Sequence, residues 1–232
     1  MMSFSVGPEI QIYYLGHSSF IFHFDNGLTI LTDYGRSCAY GLDSPIYDLG
    51  HFMPDIVTYS HHHEDHDRGL TFPSARVLDG DDLDVGGISL NAVRVSEKDP
   101  GDNYGYLITY KDTTIFHAGD SQGDIVRIQD EKLRHQTKSQ LPVKINLLLV
   151  PIGWVRDITE QAAVYVDCLS PERVIPMHYW SVNEKKTFLA KLKEFDKIYD
   201  IHEIGGPTYA LPIFRPPKNV EVISLTPAAY KR

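Results

Sequence analysis

Residues 61–66 (HHHEDH) place imidazole and carboxylate side chains next to one another in the chain. Such groups are ligands of first-row metal ions, and a site without thiolates keeps open positions for water. A metal ion lowers the pKa of bound water to about 7 and polarises a scissile bond. The segment therefore predicts a metal-dependent hydrolytic site. The plain alternative is a solvated histidine-rich loop.

The residues before this segment predict how its side chains are aimed. Residues 55–60 (DIVTYS) are rich in β-branched and aromatic types, which favours a short β-strand. Alternate side chains of an extended backbone point the same way, so His61 and His63 are expected to aim at one point. By the same alternation, His62 and Glu64 are expected to point away from it.

The end of the segment is expected to serve a neighbouring point. A short helical stretch is predicted at 67–70, directly after the histidines. If the chain turns toward that stretch, Asp65 and His66 face a position a few ångströms from the first. One short loop would then supply ligands to two metal ions.

Strand patterns fill the first half of the chain, and strands alternate with helices in the second half. Residues 10–15, 19–24 and 28–32 predict a β-meander, with an Asn-Gly step at 26–27 that suits a tight turn. This order predicts two packed sheets with helices outside. Further strands are predicted at 75–78, 88–93, 105–110, 113–116, 145–150 and 173–177, and helices at 160–169, capped by Thr159, and at 184–195, capped by Asn183.

His61-x-His63-x-Asp65-His66 matches the HxHxDH signature of the metallo-β-lactamase superfamily. Other segments follow in the expected order and resemble the small metal-dependent hydrolases of this superfamily, relatives of ascorbate-6-phosphate lactonase and of the phospholipase D that acts on N-acylphosphatidylethanolamine. The resemblance implies an α/β fold, a four-layer αββα sandwich of two mixed β-sheets with the metals at one edge. The segments are 15–20 (LGHSSF), 31–33 (LTD), 116–121 (FHAGDS), 148–153 (LLVPIG) and 174–179 (VIPMHY).

The resemblance also implies a ligand set. The bridging aspartate of the family's H-x-G-D motif falls on Asp120, and its last histidine ligand falls on His178. The implied cofactor is zinc, as one or two ions, with manganese or iron as alternatives. Asp65 or Asp120 is expected to accept a proton while metal-bound hydroxide attacks a small ester, lactone or phosphodiester. The implied metal ligands are His61, His63, Asp65, His66, Asp120 and His178.

One ligand of the family pattern is absent. The family takes a third histidine for its first metal from the stretch corresponding to 91–97 (NAVRVSE), where Val95 or a neighbour stands instead. Glu97 or Asp99 could replace the histidine, the first site could bind weakly, or one metal could suffice. Weakened first-site binding is the preferred interpretation. A carboxylate ligand there would make the site more tolerant of manganese or iron.

Other residues resemble family positions near the metals. His17 and His117 could orient a ligand carboxylate or contact substrate, or they are buried histidines without a role. Asp33 follows an apolar strand and suits a carboxylate that accepts from a ligand imidazole, although it could simply end the strand. Aromatic residues of presumed loops could line the pocket or pack in the core: Tyr34, Tyr40, Tyr47, Trp154, Tyr179 and Trp180.

The composition limits the classes of function. A chain of 232 residues predicts one domain over 1–232, and a net charge of −9 argues against a nucleic-acid partner. Neither a signal peptide nor a transmembrane segment is indicated. Cys38 and Cys168 form no zinc-type pair, which fits a reducing cytoplasm. A small-molecule substrate is expected. The alternative function is a catalytically degenerate binding or assembly module with an incomplete first metal site.

Overall fold

The structure is a computed structural model that describes residues 9–35, 49, 52–95, 102–127, 141, 144–153, 156–213 and 216–228. Within these ranges the chain forms two β-sheets and three helices. None of the helices in these ranges is long and apolar enough to cross a membrane.

The first sheet contains the predicted meander and the strand that leads to the histidines. Its strands are β1 (Glu9–Gly16), β2 (Ser19–His23), β3 (Thr29–Thr32), β4 (Ile56–Thr58), β5 (Arg76–Leu78) and β13 (Thr208–Pro212), in the order β13-β1-β2-β3-β4-β5. β1, β2 and β3 pair antiparallel, whereas β3, β4 and β5 are parallel. At the turn between β2 and β3, Gly27 has a φ of +90°, a conformation that favours glycine.

The second sheet is also mixed, because its first four strands in chain order pair antiparallel and the remaining strands pair parallel. The order is β12-β14-β11-β10-β9-β8-β7-β6. The strands are β6 (Leu83–Val85), β7 (Ile88–Arg94), β8 (Tyr104–Tyr110), β9 (Thr113–His117), β10 (Leu147–Pro151), β11 (Arg173–Met177), β12 (Tyr199–Glu203) and β14 (Val220–Ser224).

Successive residues of the second sheet enter different cores. Ile115 of β9 packs in the core between the two sheets, and its neighbour Phe116 packs in the core under the helices. This alternation is expected of a strand buried on both faces. Each fully buried side chain of this size contributes about 1.5–3 kcal/mol to the stability. The fold class predicted from the sequence, a sandwich of two mixed sheets with helices outside, is confirmed.

The helices lie against the outer face of the second sheet, where Ile125, Ala162 and Phe188 join one apolar cluster. They are α1 (Gln122–Arg127), α2 (Arg156–Leu169) and α3 (Val182–Leu192). Two predicted helix caps are wrong.

α2 begins before Thr159, whose hydroxyl donates to the carbonyl of Ile152 at 2.7 Å. α3 is capped by Ser181 and not by Asn183, because Glu184 stands three residues after Ser181 and completes a capping box. α3 also ends at Leu192, before the predicted end at Phe195. α2 and α3 are therefore present with ends that differ from the prediction, whereas α1 was not predicted.

Strand direction determines where the site lies. β1, β3 and β4 run the same way in the first sheet, and β9, β10 and β11 run the same way in the second. The carboxyl ends of parallel strands meet at one edge, where ligands of α/β folds commonly bind. The two edges are joined by a hydrogen bond from His178 N to the carbonyl of His17, at 2.9 Å.

Candidate metal centre

The segment of predicted ligands turns back on itself soon after β4. His66 N and Asp67 N both donate to the carbonyl of His63, at 2.9 and 2.7 Å. This turn carries Asp65 and His66 to the interior, where His66 has no exposed surface. The short helix predicted at 67–70 is wrong, because the turn itself brings the ligands together.

Metal-type side chains form two overlapping groups at this edge. The first, called the His178 cluster, contains His17, Asp65, His66 and His178. The second, called the His61 cluster, contains His61, His66 and Asp120. Within each cluster the ligand atoms lie within 4.8 Å of one another. Because His66 belongs to both, the arrangement can accept two neighbouring ions or one ion between them.

The clusters contain all the predicted ligands except His63, which lies beside them with its ring centroid 4.5 Å from that of His61. His17 is not among the predicted ligands, yet it belongs to the His178 cluster. The sequence signal that could have found it is its place after Gly16, at the end of the strand parallel to β3.

Asp33 anchors the loop that carries the ligands. Its Oδ1 accepts from Ser60 N at 2.7 Å, and its Oδ2 accepts from the Ser60 hydroxyl at 2.8 Å. Oδ2 also lies 2.8 Å from Nδ1 of His66, which leaves Nε2 of that imidazole for a metal. A carboxylate behind a ligand imidazole fixes the orientation of the ring and raises its basicity.

The Asp33–His66 pair is buried and charged. Burial alone would raise the pKa of Asp33, but His66 holds that pKa at about 2. Burial alone would lower the pKa of His66, but Asp33 raises it to about 9. Asp33 therefore favours the protonated form of His66 in the metal-free protein, and metal binding displaces a proton from Nε2 of that form.

Two other donors, His61 and Asp65, are held in the forms that bind metal. Burial, assisted by His66, lowers the pKa of His61 to about 3 and keeps this imidazole neutral. Burial opposes ionisation of Asp65, but the hydrogen bond with His17 and the nearby imidazoles of His178 and His66 hold its pKa well below the usual range. Neutral imidazoles and an ionised carboxylate are the donors that zinc and its neighbours prefer.

Several donor atoms are buried without a hydrogen-bond partner among the described residues: Nε2 of His66, Nε2 of His178 and Oδ1 of Asp120. Buried polar groups are normally paired, because each unpaired one costs roughly 1–3 kcal/mol. A cation between these atoms would satisfy all of them. The side chains of the clusters therefore fit a metal ion.

The backbone at Asp120 and His178 is shaped for this placement. Gly119 has a φ of +56°, and a Cβ there would stand 2.5 Å from the carbonyl oxygen of Tyr104. Only glycine therefore fits before Asp120. His178 directly follows β11 with a φ of +51°, an uncommon value for a residue with a side chain. Strain of this kind is typical of functional sites.

No histidine stands where the family's third ligand of the first metal would be. Val95 is 8% exposed and packs in the apolar cluster under the helices. Opposite it, Asn103 donates to the backbone carbonyl of Asp120 at 2.6 Å. Glu97 and Asp99, the predicted replacements, lie outside the described residues.

Two further candidate residues, His117 and Trp180, differ in how they contact the site. His117 has both ring nitrogens engaged, with Nε2 2.9 Å from the carbonyl of Ser18 and Nδ1 accepting from Gly119 N at 3.2 Å. Its role is therefore structural. Trp180 lies at the site, with its ring edge-on to His17 at a centroid distance of 5.3 Å.

The other aromatic candidates do not line the site within the described residues. Tyr34 and Tyr179 are buried in apolar clusters, at 5% and 2% exposure. Core packing explains both. Tyr40, Tyr47 and Trp154 lie outside the described residues.

Comparison with known families gives a match across most of the chain. The family model for the beta-lactamase superfamily domain matches residues 11–178. A protein of Methanobrevibacter smithii named UPF0173 metal-dependent hydrolase is 28% identical over 208 residues, covering 73% of this chain and 82% of that protein. A protein of the same name from Pyrococcus horikoshii is 35% identical over 80 residues, which span 34% of this chain and only 32% of the relative.

Solved structures share the fold. A metallo-β-lactamase superfamily protein of Thermotoga maritima superposes with a TM-score of 0.59 at 24% identity, covering 93% of this chain and 100% of that one. The YhfI protein of Bacillus subtilis, described as having the metallo-β-lactamase fold, gives 0.58 at 12% identity over 94% and 98% of the two chains. These likenesses concern the fold.

Proposed function

Because its family model matches residues 11–178, this chain belongs to the β-lactamase superfamily, and we propose that it is a metal-dependent hydrolase of a small ester, lactone or phosphodiester. The names of the archaeal relatives, metal-dependent hydrolases, support the reaction type. The site itself supports the metal dependence.

One observation carries the proposal. The donor atoms of His66, His178 and Asp120 are buried at the strand edge without hydrogen-bond partners among the described residues. A purely structural edge of a sandwich would cover such atoms or pair them, because unpaired buried polar groups destabilise a fold. Retaining them is consistent with a metal ion that satisfies them.

The proposed ligands divide between the two clusters. His61 and Asp120 of the His61 cluster would hold one ion together with His63, which lies beside that cluster, and Asp65, His66 and His178 of the His178 cluster would hold the other. When bound, the metal would supply an acidified water and polarise the scissile bond. Asp120 also lies close to the His178 cluster, with Oδ2 3.7 Å from Nε2 of His178, and would be placed to serve either ion.

Other side chains orient and shield the site. Asp33 fixes the ring of His66, as its 2.8 Å contact requires. Asp65 or Asp120 would accept a proton during turnover, since both carboxylates lie among the proposed metal ligands. Trp180 forms an apolar wall next to His178, with ring centroids 6.4 Å apart. Such a wall excludes water and contacts the organic part of a substrate.

Zinc is the proposed metal of the His178 cluster, because imidazoles dominate its donors. The His61 cluster lacks the family's third histidine. We therefore assign it weaker zinc binding and a greater tolerance of manganese or iron. A small substrate is favoured over a nucleic acid, because a chain with a net charge of −9 repels an extended polyanion.

The test is metal content per chain by mass spectrometry on protein purified without a histidine tag. It compares wild type with Asp120→Ala and His61→Ala, and with His62→Ala as the matched control. About two ions, reduced in the first two variants only, would mean that another ligand completes the first site. About one ion, lost with Asp120→Ala and kept with His61→Ala, would indicate a mononuclear enzyme.

Hydrolysis is measured in parallel on a chromogenic ester, a lactone and a phosphodiester. We expect turnover that disappears after chelation and returns with zinc or manganese. Metal binding without turnover of any of these would favour the degenerate binding module. No metal after supplementation would overturn the proposed function.

A further inference from the structure

His17 occupies an unusual position in the first sheet. It follows β1 directly, has a φ of +51° and is 1% exposed. Two hydrogen bonds hold its carbonyl: the Tyr14 hydroxyl donates at 3.0 Å, and His178 N donates at 2.9 Å. The strained backbone is thus fixed from both sheets. Such strain is retained where the surrounding structure gains from the position of the side chain.

The imidazole of His17 lies among the predicted ligands. Its ring centroid is 4.0 Å from that of His178 and 5.7 Å from that of His66. Its Nδ1 is buried and has no hydrogen-bond partner among the described residues. Its Nε2 lies 3.0 Å from Oδ2 of Asp65.

Distances from Asp65 distinguish a ligand from a simple hydrogen-bond partner. Its Oδ2 lies 3.0, 3.6 and 3.8 Å from Nε2 of His17, His178 and His66. Ligands that each stand about 2.1 Å from one ion are separated by about 3–4 Å, so all three distances fit one coordination sphere. A hydrogen bond to Asp65 would explain the first distance alone.

We propose that His17 is a ligand of the metal ion in the His178 cluster, and that this additional imidazole makes the His178 cluster the site that fills first. The inference rests on the metal site proposed above and extends it. It also offers a reason why the chain tolerates the missing histidine near Val95. The metal site with the richer donor set needs no ligand from that stretch.

The test compares His17→Ala with His17→Gln. The glutamine amide can keep a hydrogen bond to Asp65 but is a poor zinc ligand, so it separates the two roles. His23→Gln is the matched control, because His23 lies outside both clusters and its Nδ1 lies 2.9 Å from the Thr29 hydroxyl. Each protein is stripped of metal and loaded with one equivalent of zinc. Affinity is measured against a chromophoric chelator, and the imidazoles around zinc are counted by X-ray absorption.

Both His17 variants are expected to lose more than roughly 100-fold in zinc affinity, beyond the 10–100-fold typical of an outer hydrogen-bond partner. The imidazole count should fall by one in both, with no change in His23→Gln. An unchanged count with near wild-type affinity in His17→Gln would overturn the inference. Unfolding curves of the metal-free proteins identify a variant that fails to fold. If His17→Ala does not fold, the zinc affinity and imidazole count of His17→Gln, which keeps the size of the side chain, test the inference.

His178→Ala separates this inference from the proposed function. If His178→Ala loses zinc and His17→Gln does not, the metal site stands and the role of His17 is wrong. If neither variant loses zinc, the metal site itself is wrong.

Discussion

His66 and His62 belong to one short segment, and each imidazole contacts a carboxylate, but one contact is buried and the other is exposed to solvent. Nδ1 of His66 lies 2.8 Å from Oδ2 of Asp33, and the imidazole has no exposed surface. The His62 imidazole lies 2.8 Å from Asp67 and 2.8 Å from Asp79, but 61% of its side chain is exposed. The two imidazole–carboxylate contacts therefore have equal distances but differ greatly in solvent exposure.

The difference shows that burial, more than contact geometry, decides the role of an imidazole–carboxylate pair. Asp67 and Asp79 raise the pKa of His62 through hydrogen bonds at the surface. Water screens that pair, and exposed ion pairs contribute about 0–1 kcal/mol. The Asp33–His66 pair interacts in a low dielectric, where breaking one partner leaves a charge that nothing screens.

The largest expected effect follows from removing the inner carboxylate. Asp33→Asn keeps an acceptor for Ser60 N but removes the carboxylate that contacts Nδ1 of His66. We expect the metal-free protein to lose about 3–5 kcal/mol of unfolding free energy, the usual cost of breaking a buried pair. Zinc affinity should fall roughly 10–100-fold, because the carboxylate orients a ligand. Urea unfolding in chelator and a zinc titration measure the two effects.

Asp67→Asn is the matched control for this prediction, because it removes a carboxylate from the exposed pair in the same way. Its effect on unfolding should stay below about 1 kcal/mol. If the two asparagine variants were equally stable, burial would not explain the difference between the pairs.

An intermediate effect is expected at Ser60, which is 1% exposed. Its hydroxyl donates to Oδ2 of Asp33 at 2.8 Å and lies 3.0 Å from Nδ1 of His61. Ser60→Ala removes one hydrogen bond to a charged group, worth about 1.5–3 kcal/mol, and keeps the charge pair. The same urea unfolding measures the loss. A loss as large as that of Asp33→Asn would mean that the hydroxyl, and not the charge, holds His66.

Much of this arrangement could be predicted from the sequence, because local signals were strong. The run of β-branched residues before His61 predicted the strand, and the turn at Asn26-Gly27 was recognised from its dipeptide. β6, β12, β13 and β14 were not predicted. They are short segments of mixed polarity, so neither a continuous apolar run nor a strict alternation marks them clearly.

Within the site, the sequence predicted residues whose role follows from their neighbours in the chain. It did not predict which residues distant in the chain come into contact. The carboxylate role expected of Asp33 agrees with its contact to His66, since Asp33 follows β3 and His66 lies in the turn after the parallel strand β4. The contact of His17 with Asp65 agrees with the expectation that it could orient a ligand carboxylate. Its place beside His178 depends on β1 and β11 meeting across the two sheets, which no local pattern encodes. His117, equally plausible beforehand, is engaged by the backbone.

The smallest effect is expected at His62. His62→Ala removes both surface contacts, yet the unfolding free energy should change by less than about 1 kcal/mol, and less still at high salt, where exposed charges are screened. Metal content should stay at the wild-type level, because His62 belongs to neither cluster. Mass spectrometry and urea unfolding at low and high salt measure both. Loss of a metal ion in His62→Ala would place this imidazole in the centre and remove the distinction between the two faces of the segment.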